Sequence, residues 1–264
     1  MPTLRSPRTA GADPEPGCDV KLLCADWLEA VSGFAASGER FDLVYADPPF
    51  MTGRVHAQRG GAFDDRWTDS AAYLRWLGER LAATIPLIRP TGSVLLHVDW
   101  RTSHRVRVLL DEMLGERCFV NHIVWSYGLG GSSPRRFARK HDDILFYAVD
   151  PERYWFEAPR IPATSARMRG QTKKATDVLQ IPSINNMALE RCGWPTQKPL
   201  ALLEVLIGAC CPPGGSVLDP CCGSGTAVVA ARRLGRRAIG VDIDPRAIAL
   251  AGERLARGVG RDGR

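Results

Sequence analysis

Short apolar runs alternate along this chain with longer stretches whose apolar residues recur every three or four positions. The first kind reads as buried strands and the second as amphipathic helices. Strands are predicted at 20–24, 43–46, 93–98, 122–127, 143–148, 216–219 and 238–241. Helices are predicted after Asp26, with Leu28, Val31 and Phe34 on one face, and over 69–85, where Tyr73, Trp76, Leu77 and Leu81 share a face. Others are predicted over 102–114, 199–210, 226–234 and from Asp244 to about Ala256. Asp69 and Asp244 stand where helix N-caps belong, and Pro245 suits a first helical turn. Strands alternating with helices predict an α/β fold on a mostly parallel sheet of seven strands, with 122–148 able to form a hairpin.

Two segments lack any period. Residues 51–68 are glycine-rich and mixed in charge, and read as a long loop of the kind that serves as a lid or binding loop. Residues 150–191 read as an insertion. Between Ala158 and Thr176 this insertion carries Arg160, Arg167, Arg169, Lys173 and Lys174 and no acidic residue. Such a cluster suits phosphate contacts, and equally a disordered basic loop. The expected organisation is a tail over 1–18, a catalytic part over 19–149, the insertion over 150–191, a cofactor part over 192–257 and a tail over 258–264.

The 264 residues, 45% of them hydrophobic, suffice for a full core. The longest apolar stretches are too short, or interrupted by Glu204, to span a bilayer. The N-terminal residues lack the apolar centre of a signal peptide, which points to an intracellular protein. Of eight cysteines, two pairs are adjacent, and no C-x-x-C spacing suggests zinc, so buried packing in a reducing compartment is expected. The net charge of +6, dominated by arginine, suits a polyanionic partner. A second basic cluster, Arg135, Arg136, Arg139 and Lys140, joins two of the predicted strands.

Three short segments carry chemistry. In FDLVYADPPF (Phe41–Phe50) an apolar run ends in Asp47, and Pro48 and Pro49 forbid its continuation. The rigid turn presents a carboxylate, unladdered carbonyls and the Phe50 ring, which is what holding a planar ring by its amino group requires. An ordinary strand-ending turn reads the same way. In Ser216–Asp244 a strand enters a turn containing Gly223 and Gly225, a helix follows, and a second strand ends at Asp242. Close backbone approach, a helix N-terminus and an acidic residue for ribose hydroxyls point to an adenosine-containing cofactor. The missing third glycine disfavours a dinucleotide. Thr196 and Lys198, in TQKP before a helix, place a hydroxyl and a cation where a carboxylate can bind, or form a plain loop before a helix.

DPPF (Asp47–Phe50), TQKP (Thr196–Pro199) and DPCCGSGT (Asp219–Thr226), in this order, resemble the β-class amino-DNA methyltransferases. The resemblance covers roughly residues 19–257. It implies a circularly permuted, Rossmann-like class I methyltransferase fold with the 150–191 insertion as target-recognition region. It also implies S-adenosylmethionine as cofactor, held by Asp26, Thr196, Lys198, Asp219, Cys221, Gly223, Ser224, Gly225 and Asp242. A phenylalanine usually stands in the family where this chain has Cys221, so that wall of the pocket is smaller or filled from elsewhere. Double-stranded DNA is the implied partner, on the two basic clusters, in a prokaryotic cytoplasm or nucleoid. A homodimer and a cognate restriction endonuclease are further partners compatible with the resemblance.

DPPFMTG (Asp47–Gly53) is similar to the DPPYNTG version that favours adenine N6; cytosine-N4 members more often carry serine at the position of Asp47. Cytosine-N4 methylation and a catalytically silent DNA-binding relative are the alternatives. Cytosine-C5 methylation needs a cysteine nucleophile, and Pro220-Cys221 lies in the wrong turn for it. A target base has to leave the duplex to be reached, and Phe50 is then placed to stack on it. Trp125 and Tyr127 read as core before they read as a wall of that site.

Overall fold

All seven strands expected from the apolar runs form, and the sheet gains an eighth where none is expected. The computed structural model describes residues 19–58, 60–128, 132–162, 170–185 and 188–257. In chain order the first strands are β1 (Val20–Cys24), β2 (Phe41–Ala46), β3 (Arg54–Gln58), β4 (Gly61–Asp65), β5 (Ile88–Val98) and β6 (Phe119–Ser126). They are followed by β7 (His141–Ala148), β8 (Arg160–Pro162), β9 (Thr172–Lys174), β10 (Val178–Gln180), β11 (Ser216–Asp219) and β12 (Arg237–Asp242). The helices are α1 (Trp27–Ser37), α2 (Ser70–Thr84), α3 (Ser103–Leu114), α4 (Leu200–Cys210), α5 (Thr226–Arg233) and α6 (Pro245–Ala256). The caps lie where the side chains allow them: Asp26, Asp69 and Asp244 each accept a backbone N–H from the first turn of α1, α2 and α6.

The main sheet runs β1-β12-β11-β2-β5-β7-β6-β10, with β7 antiparallel to its neighbours and every other pairing parallel. Period-two alternation divides its residues between two cores. Val44, Ala46, Val94, Leu96, Leu145 and Tyr147 pack with α1, α2 and α3, while Leu43, Tyr45, Leu95, Ile144 and Phe146 pack on the side of α4 and α5. Buried on both faces, β2 is one of the innermost strands. The chain leaves β2 towards β5 and leaves β11 towards β12, so successive connections diverge between these two neighbours. That point, at the carboxyl ends of the strands, is where open α/β sheets bind ligands.

Two expectations are corrected. The seven-strand sheet has eight strands because β10, inside the segment read as aperiodic, pairs with β6 and is fastened by the Trp125 indole donating to the Ile181 carbonyl (2.8 Å). Three residues are too few to show alternation. Residues 51–68 are not structureless either: β3 and β4 form an antiparallel hairpin. Four of the five β3 residues are exposed, so no apolar run marked it. The predicted tails, 1–18 and 258–264, lie outside the described residues. Among the described residues no helix is long and apolar enough to cross a membrane.

Candidate active site

The carboxyl ends of β2, β11 and β12 open into a cavity of about 480 Å³, a size typical of small-molecule sites. Asp47, Pro48, Pro49 and Phe50 form one wall, directly after β2. The Lys198 ammonium, buried before α4, pairs with Asp47 Oδ2 and lies 5.0 Å from the centre of the Phe50 ring. The other oxygen, Asp47 Oδ1, is buried with no hydrogen-bond partner. An unmet acceptor of this kind is costly unless a ligand donor meets it. Phe50 is stacked on the buried imidazole of His97 at 5.6 Å.

The opposite wall is the turn after β11. Asp219 ends that strand almost fully buried and accepts the Cys221 N–H (3.3 Å). Burial pushes its carboxyl well above the ordinary value, and Asp47 and Asp242 add to the shift. Burial, then Asp219 and Asp47, likewise raise the Cys221 thiol, which keeps it protonated and poorly nucleophilic. Gly223 and Gly225 both have positive φ, and Gly225 caps α5. Ser224 is buried beneath them, its carbonyl and hydroxyl accepting from Arg254. Asp242, at the end of β12, accepts from the Gly223 N–H (2.8 Å) and the Asp244 N–H (2.9 Å). It therefore braces the glycine turn as well as lining the cavity, and burial raises its pKa against the pull of those N–H groups.

Asp26 also lines the cavity. Its Oδ2 pairs with Arg80 at 2.9 Å, and Arg80 lies 4.3 Å over the Trp76 ring. Burial raises the Asp26 pKa, but the Leu28 N–H and Arg80 outweigh it and leave the carboxyl below its ordinary value. Thr196 lines the cavity in a left-handed conformation (φ 60°), with its hydroxyl turned to the Pro195 carbonyl (2.6 Å). Thr196 and Lys198, expected as a pair for a carboxylate, thus already have internal partners.

Asp65, Trp194 and His97 also shape the site. Asp65, buried at the end of β4, accepts from the Met51 and Thr52 N–H groups (2.8 Å each) and from the Thr52 hydroxyl (2.6 Å), and so clamps the segment that follows DPPF. Met51 is held there with φ 57°. Trp194 is buried between the hairpin and the cofactor turn. A methyl group added at Gly223 would come within 2.7 Å of its Nε1, and one at Gly61 would collide with its ring. The turn that carries Cys221 thus meets an aromatic ring at Gly223, that of Trp194. Behind Phe50, His97 bridges the Tyr45 hydroxyl (3.0 Å) and Asp142 (3.2 Å), and Tyr127 donates to the same carboxylate (3.1 Å). Trp125 is core, as expected. Of these, only Trp194 had a signal, its adjacency to TQKP.

The two basic clusters do not line this cavity. Arg135, Arg136 and Arg139 are exposed on the loop before β7 and Lys140 is half-buried, while Arg160, Lys173 and Lys174 share the small β8–β9 hairpin. Arg160 donates to the hydroxyl and carbonyl of Thr172. Arg167 and Arg169 lie outside the described residues.

A family model described as a DNA methylase matches residues 41–253. The chain is 30% identical over 243 residues to the type II methyltransferase M.HpaI of Haemophilus parainfluenzae, covering 90% of this chain and 74% of that protein. It is 27% identical to the DNA adenine methyltransferase YhdJ of Escherichia coli K12, over 82% and 76% of the two chains. A solved complex of M1.HpyAVI with SAM shares the fold at a TM-score of 0.65 and 24% identity, covering 89% of this chain and 98% of the other. The cytosine-N4-specific PvuII DNA methyltransferase shares it at 0.66 and 15% identity, over 93% and 88%.

Proposed function

The chain belongs to the amino-DNA methyltransferase family, and we propose that its target is the exocyclic N6 of an adenine flipped out of duplex DNA. Whichever base it takes, the chain is an S-adenosylmethionine-dependent, site-specific DNA amino-methyltransferase.

The cavity suits that cofactor. Its lining carries seven aspartates, among them Asp26, Asp47 and Asp242, against the cations Arg80 and Lys198, a balance that favours a cationic, hydroxyl-bearing ligand, and a glycine turn in which an added Cβ at Gly223 would clash. Asp242 and Asp26 would hold the hydroxyls and adenine, and the Gly223–Gly225 backbone the chain bearing the sulfonium. When bound, the cofactor supplies an electrophilic methyl group.

The remaining chemistry falls to the protein. An exocyclic amino nitrogen is a poor nucleophile because its lone pair is delocalised into the ring. The observation that carries the proposal is the unmet acceptor Asp47 Oδ1, at the end of the strand beside the cofactor turn. Accepting one N–H there and the other at the Pro48 carbonyl favours a pyramidal nitrogen with a freed lone pair. After transfer the nitrogen sheds one proton, and Asp47 is placed to take it towards solvent. Positioning and electrostatics thus do the catalysis, with no covalent enzyme intermediate. Phe50, backed by His97, gives the base an aromatic wall.

The aspartate of DPPF and the Met51-Thr52-Gly53 that follows support adenine, as does the likeness to YhdJ. Cytosine N4 is the second reading, favoured by the shared fold with the PvuII enzyme. Incubation with labelled S-adenosylmethionine and mixed-sequence duplex DNA, followed by mass spectrometry of the nucleosides, decides between them. N6-methyladenine is expected. N4-methylcytosine would overturn the base assignment, and no product would overturn the activity.

A further inference from the structure

Phe137 is 98% exposed, the most exposed large apolar side chain among the described residues. It stands in Arg135-Arg136-Phe137-Ala138-Arg139-Lys140, and no acidic residue occurs from Gly128 to Lys140. A bare aromatic ring among four cations, in a stretch with no acidic residue, calls for a partner of opposite charge. It suits a polyanion that has apolar slots between its charges. Stacked nucleic-acid bases are such a partner.

The loop is anchored at the catalytic end of the sheet. The Lys140 carbonyl accepts the Tyr127 N–H at 3.0 Å, and the Arg139 guanidinium lies 3.2 Å above the ring of Trp100. Trp100 follows β5, which pairs with β2, the strand that Asp47 follows. A polar cavity of about 310 Å³ lies beneath, lined among others by Asp99, Trp100, Arg101, Tyr127 and Asp142. Asp142 also holds His97, the residue behind Phe50.

Extruding a base leaves a gap in the stack, and unstacking costs free energy that an inserted side chain can offset. We infer that Phe137 is the wedge that enters the duplex where the target base leaves, with Arg135, Arg136 and Arg139 on the flanking phosphates. The inference rests on the DNA-methylating function proposed above and adds a residue that stabilises the flipped state without touching the reacting atoms.

The test begins with wild-type protein, whose methylated position in mixed-sequence duplex DNA defines the site. Two short duplexes carrying that site are then compared, one with the target base paired and one with an abasic position opposite it. Phe137→Ala should lower the rate on the paired duplex roughly 10- to 100-fold and leave the rate on the pre-opened duplex nearly unchanged. Phe137→Trp should restore the paired rate. With 2-aminopurine as the target, the fluorescence rise on binding should be lost in Phe137→Ala. Equal losses on both duplexes, or none on the paired one, would overturn the wedge. So would a fall in oligomeric state by light scattering, which would make Phe137 a contact between copies of this chain. If wild-type protein methylates no DNA, the functional reading fails first, and the wedge falls with it.

Discussion

The Lys198 ammonium pairs with Asp47 Oδ2, while Asp47 Oδ1 stays buried and without a partner. The two residues are 151 positions apart, and the pair joins the turn after β2 to the loop before α4. One carboxylate thus has one oxygen fixed by the protein and one left for a ligand donor. The fixed oxygen sets the direction of the free one, so the acceptor is oriented before any substrate arrives.

Asp47→Ala removes that acceptor and also leaves the buried Lys198 ammonium without its carboxylate partner. Methyl transfer to duplex DNA should fall by roughly 10²–10³-fold or more, since an interaction made to the developing charge is lost. Calorimetric affinity for S-adenosylmethionine should stay nearly unchanged, because the turn formed by Gly223 and Gly225 is untouched. A variant that cannot bind cofactor would mean that Asp47 belongs to the cofactor side of the cavity.

Lys198→Met leaves Asp47 Oδ2 unpaired in a largely enclosed site. The expected cost is about 1–3 kcal/mol of stability in urea unfolding, the usual penalty for stranding a buried polar group. A loss of methyl transfer should accompany it, because nothing then fixes the carboxylate. Lys198→Arg should recover part of the rate, as it keeps the charge. Wild-type kcat in Lys198→Met would remove the positioning role.

Asp219 makes a prediction about pH. Burial raises its carboxyl well above the ordinary 3.8 in the folded protein. Between that ordinary value and the raised one, the folded state holds a proton that the unfolded chain has lost. Stability linked to this group is therefore fully present below about pH 3.8 and is lost as pH rises through the raised value. Asp219→Asn keeps an oxygen for the Cys221 N–H and cannot ionise. The variant should gain stability relative to wild type as pH rises from 4 upward, measured by urea unfolding of both proteins at each pH. A difference that is flat or of opposite slope would mean that Asp219 is not held protonated.

How much of this was legible in the sequence depends on how each residue does its work. β2, β11 and β12 are apolar runs stopped by Pro48, Pro220 and Asp242, so strand, turn and site announce themselves together. Asp65 does not. It sits in AFDDRW, among other charges, and matters only because folding of the β3–β4 hairpin brings it to the Met51 and Thr52 amides. His97 is one polar residue in the apolar run of β5, and its partners Tyr45 and Asp142 lie on two other strands, so only the strand order reveals the network. Lys198 is legible as a cation placed to meet a carboxylate, but not as the partner of Asp47. Its spacing from Pro199 says that it precedes a helix, not that the helix delivers it to Asp47.

Trp194 makes the last prediction, because it packs against two segments that are far apart in the sequence. Its ring lies against Gly223 of the cofactor turn and against Gly61 of the hairpin, and the Gly60 N–H donates to the Gly193 carbonyl at 3.1 Å. The hairpin in turn carries Asp65, which holds Met51 and Thr52 beside the catalytic turn. A side chain at Gly61 has no room unless the indole moves, and the indole is what occupies the space over Gly223. Gly61→Ala should therefore weaken S-adenosylmethionine binding roughly tenfold, a shift of about 1.4 kcal/mol, although Gly61 is not part of the cofactor turn. Gly223→Ala should weaken it further, since it adds a strained left-handed φ of +49° to the clash. Trp194→Ala tests the coupling. In that background the Gly61→Ala penalty should nearly vanish, because the atoms it strikes are gone, while much of the Gly223→Ala penalty should persist through the backbone. Additive penalties across the cycle would mean that Trp194 does not connect the hairpin to the cofactor turn.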